Sequence, residues 1–276
     1  MPRIPTLFAA ALCLAMGQAQ AHEFWIEPES FEVEAGDPLA ATFRNGEAFV
    51  GSTFSFLPTR SERLDLVAGG AAAPIDARVG DNPAIQLDEA PDGLVALVHE
   101  TGESALTYRP RAGRSGWERF VGFVTHKQMT GILEAHKAAG LPEEGVTEGY
   151  VRYAKALVAV GDGAGQDAPT GLRTEIVALA NPYTDDLADG LPVRVILDGE
   201  PRSGAQVELF ARAPDGTVEI TLHDADADGV AVLPVEPGHV YLADSVAMKP
   251  GPGFSGGDGP MWRSLWAALT FAVPEA

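Results

Sequence analysis

His22 is the residue of this sequence with the richest potential chemistry, because it follows a segment with the features of a cleavable signal peptide. Residues 1–21 contain one basic residue, Arg3, then an apolar run and an Ala-Gln-Ala ending, a pattern typical of signal peptidase sites. Cleavage after Ala21 would make His22 the first residue of the mature chain. Its α-amino group and imidazole would then chelate a divalent transition metal, since a metal readily displaces the proton of an amine with a pKa of about 8.

A complete metal site needs further ligands from elsewhere in the chain. A second imidazole would give three nitrogens in the flat arrangement that Cu(II) prefers. The downstream candidates are His99, His126, His223 and His239, and we favour His99, at a strand end, and His239, in a Pro-Gly turn. Glu23 or Glu47 would supply an oxygen ligand or a hydrogen bond to a ligating imidazole. The predicted site therefore consists of His22, His99, His239, Glu23 and Glu47, with Ni²⁺ or Cu²⁺ as the metal.

Composition excludes several other chemistries. The single cysteine, Cys13, lies in the predicted signal peptide, so the mature chain would have no disulfide, thiolate ligand or cysteine nucleophile. The formal net charge is −20, from 39 acidic and 19 basic residues, which argues against nucleic acid as a partner and favours cations. No later apolar run reaches the roughly 18 residues of a membrane span. We therefore expect a periplasmic protein without a membrane anchor.

Catalytic motifs are absent from the sequence. There is no G-x-S-x-G, no H-E-x-x-H, no phosphate-binding glycine loop and no dinucleotide fingerprint, so we expect a protein that is not an enzyme. The acidic run 224–229 resembles the start of an EF-hand loop, but its twelfth position falls on Val235 and not on a carboxylate. An Asp/Gly hairpin turn between strands is the better interpretation of that run.

The elements that would position these residues are mainly short strands. Short apolar stretches alternate with Gly, Pro and Asn-Gly or Asp-Gly turn signals along the chain, a rhythm typical of antiparallel sandwiches. A capping-box spacing at Thr125 and Gln128, followed by apolar residues at helical spacing, predicts one helix at 126–139. The polar stretch 161–170 is the best candidate for a linker. The predicted domains are a sandwich at 22–165 that includes the helix and a second sandwich at 170–276.

Four sequence blocks resemble the domain of unknown function 4198 family, whose members were formerly described as NikM-type nickel-uptake components. They are the His-Glu-Phe-Trp-Ile-Glu-Pro segment at 22–28, the Tyr-Ala-Lys-Ala-Leu segment at 153–157, the turn at 226–229 and the Trp-rich ending at 262–271. The resemblance implies a periplasmic, all-β protein associated with transition-metal handling, sometimes beside outer-membrane receptors. Members tend to carry a histidine where this chain has Ala247.

The segment from Asp198 to Val207 also resembles the small sandwich modules that accompany carboxypeptidases as regulatory appendages. The expected fold is therefore all-β, with two immunoglobulin-like or carboxypeptidase-regulatory-like antiparallel sandwiches and a short helical insertion. The expected function is non-catalytic binding of nickel or copper in metal uptake or handling, with an outer-membrane receptor or a metal transporter as partner. The alternatives are a two-sandwich scaffold or adhesion protein without a metal and a copper monooxygenase of the histidine-brace type.

Overall fold

Most of the chain forms β-strands that pack in layers. The computed structural model describes residues 22–129 and 131–275, so the predicted signal peptide lies outside the described residues. The strands are β1 Glu23–Pro28, β2 Glu32–Val33, β3 Leu39–Glu47, β4 Val50–Phe54, β5 Ser61–Ala68, β6 Ala71–Pro74, β7 Ile85–Leu87, β8 Gly93–Thr101, β9 Ser104–Thr107, β10 Thr147–Val160, β11 Thr174–Ala178, β12 Leu191–Leu197, β13 Glu200–Pro201, β14 Gln206–Arg212, β15 Val218–Asp224, β16 Val230–Leu233, β17 Val240–Pro250 and β18 Trp262–Ala272. Two short helices, α1 Gly116–His126 and α2 Ile132–Ala138, complete the regular structure.

A ten-stranded sheet forms the middle layer. Its strand order is β15-β14-β17-β18-β10-β8-β5-β6, and β2 and β9 also pair with β10. One face is covered by the β1-β3-β4 sheet, with β7, and by the two helices, while the other face packs against the β11-β12-β13 sheet with β16. Both faces therefore bury apolar side chains. The prediction of an all-β sandwich architecture with a short helical insertion is confirmed.

The middle sheet takes strands from both of the predicted domains. Strand β10, from the first predicted domain, pairs in parallel with β18, the last strand of the second. The predicted linker is packed against the body of the protein, because Lys155 forms an ion pair with Asp167 at 2.7 Å and Asn181 donates a hydrogen bond to the Gly163 carbonyl. Main-chain hydrogen bonds between strands therefore connect residues 22–165 to residues 170–276, in addition to the continuous chain.

The helical insertion begins earlier than expected and is divided in two. Helix α1 starts at a capping box in which the Ser115 hydroxyl accepts from the Glu118 amide and the Glu118 carboxylate accepts from the Ser115 amide. The predicted single helix at 126–139 is wrong, because Gln128 and Gly131 have positive φ angles, 47° and 80°, that a continuous α-helix cannot contain. Thr125 lies in the last turn of α1 and caps nothing.

The acidic run at 224–229 forms a turn between strands, but the prediction of a hairpin is wrong. One Asp226 carboxylate oxygen accepts hydrogen bonds from the amides of Asp228 and Val230, and the Gly229 amide donates to the Asp226 carbonyl. This is an Asx-type arrangement, in which the side chain satisfies the backbone of its own turn. The turn joins β15 of the middle sheet to β16 of an outer sheet, so it is a corner between layers and not a hairpin.

A buried ion cluster connects the insertion to the sheets. Glu208 on β14 and Asp244 on β17 are directly opposite each other in the antiparallel pairing. The Lys127 ammonium, just after α1, donates to both carboxylates at 2.6 and 2.7 Å and lies 3.8 Å from Glu23 on β1. Although burial lowers the pKa of Lys127, the facing carboxylates outweigh it and hold that pKa above its usual range. One cation therefore links the helical insertion, the middle sheet and the small sheet that contains β1.

Replacing Lys127 with methionine should destabilise the fold by about 3–5 kcal/mol, because it leaves buried carboxylates facing each other without a counter-charge. Urea unfolding followed by circular dichroism measures the free energy of unfolding. Lys137→Met is the matched control, since Lys137 lies exposed on α2, and it should change stability by at most about 0.5 kcal/mol. Equal stabilities of the two variants would contradict the role of the cluster.

Candidate functional site

A cavity of about 460 Å³ opens on the middle sheet between the two structures that cover this face. On one side it is bounded by β1, β3 and β4, and on the other by helix α1, while β8, β9, β10 and β18 form its floor. The small sheet and the helices do not meet over this part of the sheet, and the gap between them is the cavity. Its volume falls in the range of small-molecule sites.

His22 and Glu47 come together at the rim of this cavity. In the antiparallel pairing of β1 and β3, Glu23 is opposite Gly46, so the residues that flank them, His22 and Glu47, are neighbours across the strands. His22 Nε2 lies 3.5 Å from Glu47 Oε1, and both side chains are about half exposed. His22 also lines the cavity. Two of the predicted metal ligands are therefore adjacent.

Glu23 belongs to the buried ion cluster instead of the cavity. Its side chain is 1% exposed and lies beside Lys127, as expected because successive side chains of a strand point to opposite faces. Burial raises the pKa of Glu23 to about 8 despite the nearby ammonium, which keeps most of this carboxyl protonated at neutral pH. Glu23 therefore anchors the beginning of β1 and fixes the position of His22.

His99 reaches the same cavity from its floor. It is 2% exposed, its Nε2 lies 2.8 Å from Ser61 Oγ, and its ring stacks on Phe43 at 4.2 Å between centroids. Nδ1 of His99 has no hydrogen-bond partner among the described residues. Burial lowers the pKa of His99 to about 3, so the imidazole is neutral and one ring nitrogen retains a lone pair.

His239 does not line the cavity. It precedes β17 at the end where Val240 pairs with Ala272, its Nδ1 lies 3.1 Å from the Pro237 carbonyl, and its ring stacks near Tyr241. Two other histidines also have structural contacts elsewhere, with His126 beside Glu208 and His223 beside Thr221. Of the predicted set, His22 and Glu47 are adjacent and His99 lines the same cavity as His22, while the side chains of His239 and Glu23 lie elsewhere.

The sequence interpretation did not identify a second group of residues, on β10 and β18. Arg152 and Trp266 are paired across these parallel strands, and the Arg152 guanidinium lies over the Trp266 ring at 3.8 Å from its centroid. Both residues line the cavity. The signal that could have revealed the group is Arg152 itself, a charge within an almost continuous apolar strand.

Glu148 contributes the only carboxylate of the cavity wall among the described residues. Its oxygens accept hydrogen bonds from the Tyr108 and Ser264 hydroxyls, and the Trp266 indole donates to Ser264 at 2.8 Å. Burial raises the pKa of Glu148 even though these hydrogen bonds oppose the shift. The acid is therefore more readily protonated here than in water.

Among residues 22–129 and 131–275, no three His, Cys, Asp or Glu side chains are placed to hold a metal ion together. A metal site at His22 would therefore need a donor that is not a side chain. The α-nitrogen of His22 would become such a donor after cleavage of the preceding peptide bond. In the same described segments, no helix has both the length and the apolar character that a membrane span requires.

The chain belongs to a family defined as a domain of unknown function, DUF4198, whose sequence model matches residues 19–249. No curated protein matches the sequence. A similar solved structure is the crystal structure of a tetra-tandem repeat in the extending region of a large adhesion protein, at 12% identity. That alignment covers 92% of this chain but 50% of the other, with a TM-score of 0.21, and supports no conclusion about this protein.

Stability should depend on pH through Glu148. Because the folded state holds the Glu148 proton more tightly than the unfolded state does, the free energy of unfolding should fall as the pH rises above about 4.5, the ordinary value. Glu148→Gln cannot ionise and should flatten this fall in urea titrations at a series of pH values. Exposed Glu143 provides the control Glu143→Gln, which should keep the wild-type slope. An unchanged slope in Glu148→Gln would contradict the shift.

Proposed function

We propose that this protein binds Ni²⁺ or Cu²⁺ through a processed amino-terminal His22 and takes part, without catalysis, in metal uptake or handling in a bacterial periplasm. The observation that carries the proposal is the position of His22 at the cavity rim, with its imidazole 3.5 Å from Glu47. The signal-like segment before His22 supports both the processing and the location.

The two ring nitrogens of His22 have different tasks in this proposal. The α-nitrogen and Nδ1 of an amino-terminal histidine close a six-membered chelate ring around one ion. Nε2 is the atom that faces Glu47, and metal-bound imidazoles commonly donate their other N–H to a carboxylate. Glu47 would therefore orient the ring and increase its basicity, while Nδ1 remains free for the metal.

His99 is the best candidate for a third nitrogen ligand. It lines the same cavity as His22, and its buried imidazole stays neutral, which is the form that binds metal. Its Nδ1 has no partner among the described residues. Ligation would require the two rings to approach until both nitrogens are about 2 Å from one ion.

The proposal predicts that metal affinity depends on a free amino terminus at His22. Protein beginning at His22 should bind Cu²⁺ or Ni²⁺ at least about tenfold more tightly than protein with one extra alanine before it. Isothermal titration calorimetry measures both affinities. Equal affinities of the two proteins would overturn the proposal. A ligand that binds the native state must stabilise that state. If neither Cu²⁺ nor Ni²⁺ raises the Tm, the result would favour a scaffold role.

Glu47→Gln should weaken metal binding by about tenfold or more, because the amide accepts a weaker hydrogen bond from the ligating ring. The same titration tests this expectation, with Glu29→Gln as control, since Glu29 lies exposed just after β1. Affinity unchanged by Glu47→Gln would remove Glu47 from the site. Reductant-dependent peroxide production by the copper-loaded protein would contradict the non-catalytic assignment and favour a monooxygenase.

A further inference from the structure

Arg152 lies on the cavity floor with unused hydrogen-bonding capacity. It is 8% exposed, and neither Nε nor one of its terminal nitrogens has a hydrogen-bond partner among the described residues. In those same residues, no carboxylate lies within ion-pair distance of the guanidinium; the ion pairs of the buried cluster are all made by Lys127 and His126. Buried guanidinium groups are normally paired, because an unpaired buried donor costs free energy.

The cavity wall as a whole is basic, in contrast to the rest of the chain. The sequence has 39 acidic and 19 basic residues, yet the cavity is lined by four arginines and one carboxylate. The arginines are Arg60, Arg111, Arg119 and Arg152. The carboxylate, Glu148, accepts hydrogen bonds from two hydroxyl groups, and it accepts none from Nε or Nη1 of Arg152. An anion would find a favourable potential in this cavity.

Aromatic rings form much of the remaining wall, beside the polar side chains of Asn45, Ser55, Ser61, Thr101 and Ser104. Its rings include Phe24, Phe43, Phe54, Phe123 and Trp266. The Trp266 ring lies parallel to Phe123 at 5.4 Å between centroids and carries the Arg152 guanidinium as well. Such a wall favours a ligand with a flat or branched hydrocarbon body and disfavours a small, fully hydrated ion.

We propose that the cavity is a binding site for a small organic carboxylate with an aromatic or apolar body, whose carboxylate pairs with Arg152. A carboxylate fits because its two oxygens match two N–H groups on one edge of a guanidinium. The stack on Trp266 fixes the plane of the guanidinium and so the direction from which the carboxylate approaches. The proposal does not rest on metal binding, because Arg152 is not one of the proposed metal ligands.

The first test uses 3-phenylpropionate and its neutral analogue 3-phenylpropanamide as probes. The protein carries an extra alanine before His22 and is kept in a chelator, so that the proposed metal site cannot contribute. Calorimetric titration and Tm should show binding of the acid and at least about tenfold weaker binding of the amide, which cannot form the charged pair. Equal binding of acid and amide, or no binding of the acid, would overturn the proposal.

Variants locate the binding. Arg152→Met should weaken binding of 3-phenylpropionate by about tenfold to a hundredfold, whereas Arg109→Met, at an exposed arginine outside this cavity, should leave it unchanged. If Arg152→Met does not fold, Ser104→Trp fills the cavity from an exposed wall position and should block the acid. Binding that survives a folded Arg152→Met or Ser104→Trp would place the ligand elsewhere. Equal affinity for inorganic phosphate would contradict the need for an apolar body.

Discussion

The packing of helix α1 and strand β1 on the middle sheet depends on two buried carboxylates that face each other. Glu208 and Asp244 are cross-strand neighbours on β14 and β17, a pairing that repels when both groups are charged. Lys127 bonds to both, and the His126 and Lys127 hydrogen bonds outweigh burial and hold the pKa of Glu208 at about 2. The sheet therefore requires a cation at this point, and Lys127 at the end of helix α1 supplies it. The same ammonium attracts Glu23 and so secures β1.

This constraint has consequences for the cavity. Once α1 is fixed at its end and β1 at its beginning, the helices and the small sheet are held apart over β10, and the space between them stays open. Strand alternation places Glu148, Tyr150 and Arg152 on this side of β10 and apolar residues such as Val151 on the other. The alternation of side chains along β10 therefore determines which of its charged residues face the cavity. Glu148, Tyr150 and Arg152 occur where the covering structures leave a gap.

The sequence predicted the layers well and their connections poorly. Alternating apolar residues and turn signals are local, so the strands and the all-β sandwich followed from them. The split helix did not, because the helix is interrupted at Gln128, which has a left-handed conformation, beside Lys127, whose ion-pair partners lie on strands that are distant in sequence. The shared sheet was also missed, since the parallel pairing of β10 with β18 joins residues more than a hundred positions apart. Among the candidate ligands, His22 and Glu47 meet through the short-range register of β1 and β3, whereas no local pattern distinguishes His99 from His239.

Electrostatics separates the two binding chemistries along one cavity. At the rim, His22 and Glu47 are half exposed, so a cation can approach them through water. On the floor, Arg152 is buried against Trp266 with unused donors, where a low local dielectric strengthens an ion pair with an anion. An acidic surface would repel a free organic anion at long range, but this repulsion is screened beyond about 8–10 Å at physiological salt. The four arginines of the wall outnumber its one carboxylate, which favours an anion as the ligand of the floor.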